Sequence, residues 1–230
     1  MKVVILSGGK GTRLKPYTEV IPKSLLPLNG KPVLEIILER LKNQGIDEVI
    51  LAVNYGAYLF KTLFGEVANN GMKIQYSSET SPLGTAGPLK LLEGQITENF
   101  FLMNGDLITD LEINRVKEFH EKMGADITVV TREIEIPIEY GVILAKEGKI
   151  AEWEEKPKIK LKISTGMYLI NPEMIDLIPQ NEIYNMPDLV LEVIKRGGNV
   201  LEFLHDGEWI DMGTIEDYKK AQEHLGVEEK

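Results

Sequence analysis

Through its first half the chain alternates short apolar runs with segments that carry apolar residues at helical spacing, and no other feature restricts its fold as much. Lys2 to Ser7 reads as a buried strand, Pro32 to Gln44 as an amphipathic helix stopped by Gly45, and Glu48 to Val53 as the next strand. Residues 56–68 have a helical pattern, Lys73 to Ser77 a strand pattern, Thr85 to Leu92 a helical one, and Phe100 to Met103 that of a buried strand. A helix over about 112–123 leads into the β-rich stretch Asp126 to Arg132. Strands joined through helices run parallel with right-handed crossovers, which predicts an α/β chain with a doubly wound, largely parallel, Rossmann-like sheet.

The rhythm then changes. Val142 to Ala145, Ile150 to Glu154 and Lys162 to Ile170 have strand patterns, with Glu147-Gly148 as the turn between the first two, and together they predict a mixed β insertion beside the main sheet. Helical spacing returns at Pro172 to Leu177 and Pro187 to Lys195. A strand at Val200 to Leu204, the segment Glu208-Trp209-Ile210-Asp211 and a last helix from about Thr214 to His224 follow. No repeat, linker or domain boundary interrupts the sequence, so residues 1–230 are expected to form one domain. The charged end Glu228-Glu229-Lys230 is expected to fray. Trp153, Tyr184 and Phe203 belong either to the core or to an interface, with the core favoured because most large aromatic side chains sit there.

Charge and composition narrow the partners. The formal net charge is −10 with no long basic tract, which argues against nucleic acid or an anionic membrane. A polyanionic ligand would need a few placed cations or a metal ion. The absence of cysteine removes disulfides, thiolate zinc sites and cysteine nucleophiles together, and fits a reducing, cytoplasmic compartment. The opening apolar run ends at Leu6, too short for a signal peptide or a membrane span. His120 and His224 on predicted helices and His205 at a strand end do not cluster, so they are read as structural or surface residues.

Ser7-Gly8-Gly9-Lys10-Gly11-Thr12-Arg13-Leu14-Lys15 follows the first strand, at the edge where parallel sheets form their ligand crevice. Glycines let backbone N–H groups approach phosphate oxygens, and Lys10, Arg13 and Lys15 add positive charge. The spacing is not Gly-x-Gly-x-x-Gly, and no Gly-Lys-Ser/Thr completes a P-loop. By itself the segment is either a phosphate cradle or a tight solvated turn. Asn104-Gly105-Asp106 directly follows the run Phe100 to Met103, so the Asp106 carboxylate is expected to project into the same crevice, although a lone Asp at such a place is more often a turn or cap residue.

Gly8-Gly9-Lys10-Gly11-Thr12-Arg13-Leu14 followed by Pro22-Lys23 resembles the signature of the sugar-1-phosphate nucleotidylyltransferases, and the resemblance runs from Val3 to Ala221. It implies a glycosyltransferase-A-type version of the fold with an inserted β-rich sugar-binding portion. A nucleotide-binding half would occupy roughly 1–125 and a sugar-phosphate-binding half roughly 126–225. The loop, with Leu6, Gly8, Gly9, Gly11 and Thr12, would wrap the triphosphate, Arg13 and Lys23 would contact its phosphates, and Asn104 and Gly105 would border the nucleotide. Ser24 departs from the Pro or Ala that usually follows that Lys. Asn104-Gly105-Asp106 resembles the family's Gly-Asp or Ser-Asp metal ligand, and Trp209-Ile210-Asp211-Met212-Gly213-Thr214 resembles its Trp-x-Asp-x-Gly-Thr partner. Asp106 and Asp211 are thereby the implied Mg²⁺ carboxylates, in keeping with a cation that takes one or two carboxylates plus waters and substrate phosphate oxygens.

Glu154-Glu155-Lys156-Pro157 resembles the family's Glu-Lys-Pro element, which implies Glu155 on a sugar hydroxyl and Lys156 on the sugar phosphate. Tyr140-Gly141-Val142 and Thr165-Gly166-Met167-Tyr168 resemble elements flanking the sugar, which adds Tyr140, Gly141, Thr165 and Gly166 to that side. Leu83-Gly84-Thr85-Ala86-Gly87-Pro88 would place Gly84 and Thr85 near the base, and its form is most similar to the mannose-1-phosphate guanylyltransferase branch, favouring GTP. Tyr184-Asn185-Met186-Pro187-Asp188 is similar to short guanylyltransferase-like domains acting on mannose, heptose or amino-sugar 1-phosphates. The implied reaction transfers GMP from GTP to a sugar 1-phosphate and releases pyrophosphate, with Arg13, Lys23, Asp106, Lys156 and Asp211 as its catalytic set. A UTP- or dTTP-dependent enzyme for glucose or amino-sugar phosphates, a non-catalytic sugar-nucleotide regulator, and a monomer or small homo-oligomer all stay open. The C-terminal left-handed β-helix of many members is not matched, so regulation or assembly built on it is not expected.

Overall fold

Val3, Val4 and Ile5 are fully buried in β1 (Val3–Leu6), as a central strand covered on both faces must be. The computed structural model describes residues 1–226, so Glu228-Glu229-Lys230 lie outside the described residues. A short hairpin, β2 (Pro27–Leu28) and β3 (Lys31–Pro32), precedes α1 (Val33–Asn43), β4 (Glu48–Val53), α2 (Ala57–Phe64), β5 (Lys73–Ser78) and α3 (Gly87–Lys90). Next come β6 (Phe100–Asn104), β7 (Leu107–Thr109), α4 (Ile113–Met123), β8 (Ile127–Pro137), β9 (Val142–Lys146), β10 (Lys149–Glu154) and β11 (Lys158–Ile170). After a 3-10 segment at Pro172–Leu177 the chain ends in α5 (Met186–Lys195), β12 (Val200–Leu204), β13 (Trp209–Asp211) and α6 (Ile215–Gly226). Among the described residues no helix is long and apolar enough to cross a membrane.

The main sheet has seven strands in the order β12-β8-β11-β6-β1-β4-β5. β5, β4, β1 and β6 run parallel, β12 runs parallel to β8, and β11 is antiparallel to both of its neighbours. From β1 the chain winds outward through β4 and β5, then returns to β6 on the other side. The switch point therefore lies between β1 and β6, and the crevice opens at their carboxyl ends. Strand alternation splits the core into two layers: Phe101 and Met103 pack on one face with Leu34 and Phe60, and Phe100 and Leu102 on the other with Leu89 and Leu189. α1 buries Leu34, Ile37, Leu38 and Leu41 at helical spacing, and Gly45, at φ +80°, ends the turn as Ile46 N–H bonds the Leu41 carbonyl.

Several expectations need correction. Of the three strands expected in the insertion, β11 is a member of the main sheet, and only β9 and β10 stand apart from it, as a two-stranded hairpin. β8 also runs past Arg132 to Pro137, because Glu133 and Glu135 pair with Lys160 and Lys158 on β11 while Ile134 and Ile136 pair with Leu161 and Ile159. The helix over Thr85 to Leu92 shrinks to α3, since Met186 N–H bonds the Thr85 hydroxyl and the Ala86 and Gly87 N–H groups both bond the Tyr184 carbonyl. α2 stops at Phe64, before Gly65 at φ +59°. Trp153 is 61% exposed rather than in the core, because every residue of β9 and β10 is exposed. Tyr184 and Phe203 do pack against buried residues, and Phe203 meets Phe119 edge-on at 5.6 Å.

His120 is a buried histidine on α4, 1% exposed, with Nδ1 2.8 Å from the Thr128 hydroxyl and no partner at Nε2. Burial holds its pKa below the ordinary 6.5, against the smaller pull of Glu121 and Asp126. The unfolded chain thus takes up this proton first, so stability is full above about pH 6.5 and falls on acidification, by at most about 1.4 kcal/mol per pH unit for one proton. Denaturant midpoints between pH 7.5 and 5.5 are expected to fall less steeply in His120→Gln than in the wild type. Equal slopes would place the proton elsewhere.

Candidate active site

Ser7 N–H bonds the Ala52 carbonyl at 2.8 Å, so β1 carries its pairing one residue past the strand before the glycine loop begins. The loop then folds back. Thr18 Oγ1 and Leu14 N–H both donate to the Gly11 carbonyl, at 2.7 and 2.9 Å, and fully buried Leu14 anchors the turn. Gly11 sits at φ +59°, where a Cβ would also lie 2.9 Å from Thr18 Cγ2. A Cβ on Gly9 would meet nothing within 4 Å, so its backbone faces open space. Arg13 and Lys10 are exposed beside it.

The cleft under this loop is lined by Leu6, Gly8, Gly9, Gly11, Thr12 and Arg13 from the first segment. Ser7, Lys23, Ser24, Gly84, Thr85, Asn104, Asp106 and Gly213 complete it. Lys23 is held in a 3-10 turn and forms an ion pair with Asp106 Oδ2, with Asp211 Oδ1 3.7 Å away. Asp106 lies in the turn between β6 and β7, Asp211 ends β13, and the pairing of Asp211 with Leu107 puts the two carboxylates side by side. Gly105 leaves room for this approach, since a Cβ there would fall 2.3 Å from Ser7 Oγ and 2.8 Å from Ser24 Oγ. The serine that departs from the family pattern fits beneath Gly105.

The electrostatics of the pair are unbalanced. Burial raises the Asp211 pKa from its ordinary value, and the negative charge of Asp106 raises it further, while Lys23 and Arg13 oppose both. Asp106 Oδ1 is buried without a hydrogen-bond partner. A divalent cation between the carboxylates would relieve both defects. Among the described residues no group of three or more His, Cys, Asp or Glu side chains could hold a metal. Two protein carboxylates completed by water and phosphate oxygens are the arrangement Mg²⁺ favours.

On the sugar side the residues divide. Gly166, at φ +77° where the β8–β11 register shifts, packs against the cleft residue Asn104: a Cβ there would lie 2.5 Å from Asn104 Nδ2. The Thr165 side chain is buried with its hydroxyl on the Val130 carbonyl, and the Thr165 carbonyl takes the Trp209 indole N–H. Tyr140, Gly141, Glu155 and Lys156 do not line the cleft; they flank the exposed hairpin. There, Trp153 Nε1 donates to Glu155 Oε2 at 3.3 Å, and Gly141 leaves the space both occupy. Lys156 is exposed with φ +49°.

Sequence reasoning missed Glu79, just past β5. Its Oε2 accepts the Leu83 N–H at 2.8 Å, and its Oε1 would stand 3.0 Å from a Cβ on Gly8. Burial raises its pKa, against the Leu83 N–H and the Asn54 side chain. Its place at the carboxyl edge of a parallel strand was the available signal.

These features define an α/β protein with a cation-lined, carboxylate-bearing crevice at its topological switch point. The chain belongs to the nucleotidyl transferase family, whose profile matches residues 2–228. It is 37% identical over 226 residues to a mannose-1-phosphate guanyltransferase of Yarrowia lipolytica, covering 95% of this chain and 62% of the relative. It is 33% identical over 241 residues to a UTP–glucose-1-phosphate uridylyltransferase of Synechocystis, covering 96% and 62%. The chain thus spans about 62% of the length of the curated relatives it matches. The crystal structure of HddC from Yersinia pseudotuberculosis complexed with GMP-PN aligns at a TM-score of 0.76 and 28% identity, covering 97% of this chain and 99% of that one.

Proposed function

We propose that the crevice transfers a nucleoside monophosphate, GMP from GTP in first place, to a sugar 1-phosphate and releases pyrophosphate. The observation that carries this reading is the Asp106–Lys23–Asp211 cluster beneath the glycine loop. A sugar-phosphate oxygen attacks the α-phosphorus as the bond to the pyrophosphate oxygen breaks. The nucleophile needs no general base, because a phosphate monoester with a second pKa of about 6 is mostly dianionic at neutral pH. What the chain supplies is position and charge. The loop N–H groups, Arg13 and Lys23 hold the triphosphate, and from the hairpin side Glu155 takes a sugar hydroxyl and Lys156 the sugar phosphate. In this division residues 1–125 serve the nucleotide and 126–225 the sugar. Asp106 and Asp211 would hold Mg²⁺, which when bound offsets the charge of both phosphates.

Glu79 supports GTP over its rivals. The guanine edge carries two adjacent donors, N1–H and the N2 amino group, whereas uracil and thymine offer one N–H between two carbonyls. An ionised carboxylate only accepts, so it matches the first edge and repels the second. Glu79→Gln is expected to lower the kcat/KM ratio of GTP over UTP by roughly 10- to 100-fold, the worth of one bidentate base contact. An unchanged ratio would move base selection elsewhere. The reaction itself is tested by measuring pyrophosphate release with GTP, UTP, dTTP, CTP and ATP against a panel of sugar 1-phosphates, with and without Mg²⁺. Nucleotide binding without release across the panel would favour a regulator.

A further inference from the structure

Asp211 ends a strand of three residues in a two-stranded ribbon with β7, whose Leu107 and Ile108 are buried in the core. Its carboxylate also faces that of Asp106 across the first register pair of the ribbon, where like charges repel. Lys23 draws both carboxylates inward but does not hold the backbone of β13. The strand is held at its ladder with β7, by the Trp209 indole on the Thr165 carbonyl and by the Met212 N–H on the Asp106 carbonyl, and its entry is held by the residue before it.

The residue before β13 is Glu208, and all three of its oxygens are engaged. Oε2 pairs with Arg40 of α1, Oε1 lies 3.0 Å from His224 Nε2 of α6, and the carbonyl accepts the Thr109 hydroxyl of β7 at 2.8 Å. His205 Nε2 stands 3.1 Å from the same carbonyl and 3.2 Å from Thr109 Oγ1. The Glu208 and Arg40 side chains are 21% and 30% exposed, so this is a partly desolvated junction of two helices and the ribbon, unlike the loose surface pairs on β11. The turn before it is tight as well: a Cβ on Gly207 would lie 2.4 Å from Asp110 Oδ1.

We propose that Glu208 is a positioning residue which, anchored by Arg40, His224 and Thr109, holds β13 so that Asp211 stays beside Asp106, where the two would hold a divalent cation. The inference rests on the proposed role of Asp106 and Asp211 as the cation pair. Groups that orient metal ligands from behind commonly set affinity by about 10- to 100-fold.

The test is Mn²⁺ binding to the purified protein, followed by the loss of the free-ion EPR signal. Glu208→Gln and Thr109→Val are expected to weaken Mn²⁺ binding by about 10-fold. Thr109→Ser, which keeps the hydroxyl, is expected to bind as the wild type does. In turnover, the same two weakened variants should need more Mg²⁺ for half-maximal rate yet regain most of kcat at saturation, a split that general loosening of the fold would not produce. If Glu208→Gln does not fold, the Thr109 pair decides alone. Wild-type Mn²⁺ affinity in Thr109→Val, with binding lost in Asp211→Asn, overturns the positioning role and leaves the cation pair standing. Retention of Mn²⁺ by Asp211→Asn overturns the pair itself.

Discussion

Asp106→Asn is expected to lower pyrophosphate release by about 10²- to 10³-fold, the usual cost of removing one electrostatic group from a reaction centre. The side chain is 17% exposed, with Oδ2 on Lys23 and Oδ1 buried without a partner. An amide of the same shape keeps the packing but loses the charge that faces Asp211. Two outcomes should separate charge from fold. With no metal added, Asp106→Asn should stay folded, since the loss of its ion pair with Lys23 is offset in part by the removal of a like-charged neighbour of Asp211. Added Mg²⁺ should raise the melting temperature of the wild type and not of the variant, since a ligand stabilises only the state that binds it. Near-normal turnover in a folded variant would remove Asp106 from the reaction.

What the sequence disclosed depended on how local each signal was. β1, β4 and β6 were legible because strands covered on both faces are written as continuous apolar runs, and Val3 to Ile5 and Phe100 to Met103 are such runs. The outer part of β8 was not. There Glu133 and Glu135 alternate with Ile134 and Ile136, and the charges are satisfied only by lysines on β11 more than twenty residues further on, so the segment resembles a solvated loop until its partner is known. β7, with three residues, is too short to show any period, yet its pairing with β13 is what brings Asp211 to Asp106.

The site divides in the same way. The loop, Lys23, Asp106 and Asp211 carry recognisable local motifs, and the structure gathers them at one crevice. Tyr140, Glu155 and Lys156 carry motifs too, but no local pattern encodes where the exposed hairpin stands relative to the cleft. Glu79 has no motif at all. Its interest comes from its nearness to Gly8, two strands away across the sheet, and from the Leu83 N–H that holds it. Glu208 was noticed only as the residue before a tryptophan, because its contacts reach back to Arg40 and forward to His224.

Lys23→Ala is expected to lose turnover as severely as Asp106→Asn, by about 10²- to 10³-fold, but for a different reason that can be measured. Lys23 is the cation that meets both carboxylates, and its side chain is 14% exposed. Without it, Asp106 and Asp211 face each other with Arg13 as the remaining opposing charge on Asp211, and the Asp211 carboxyl rises further from its ordinary value. A carboxyl whose folded pKa exceeds its unfolded one destabilises the fold when ionised, and that loss is recovered as pH falls through the folded value. The variant should therefore be less stable than the wild type at pH 7.5 and regain ground on acidification, seen as converging denaturant midpoints. In the wild type the ammonium also competes with a metal for Asp106 Oδ2, so Mn²⁺ binding should survive in Lys23→Ala or tighten, whereas it should be lost in Asp106→Asn. Turnover lost with the cation retained would assign Lys23 to the phosphates. If Lys23→Ala instead loses Mn²⁺ in step with turnover, the lysine acts by arranging the carboxylates, and its role at the phosphates falls.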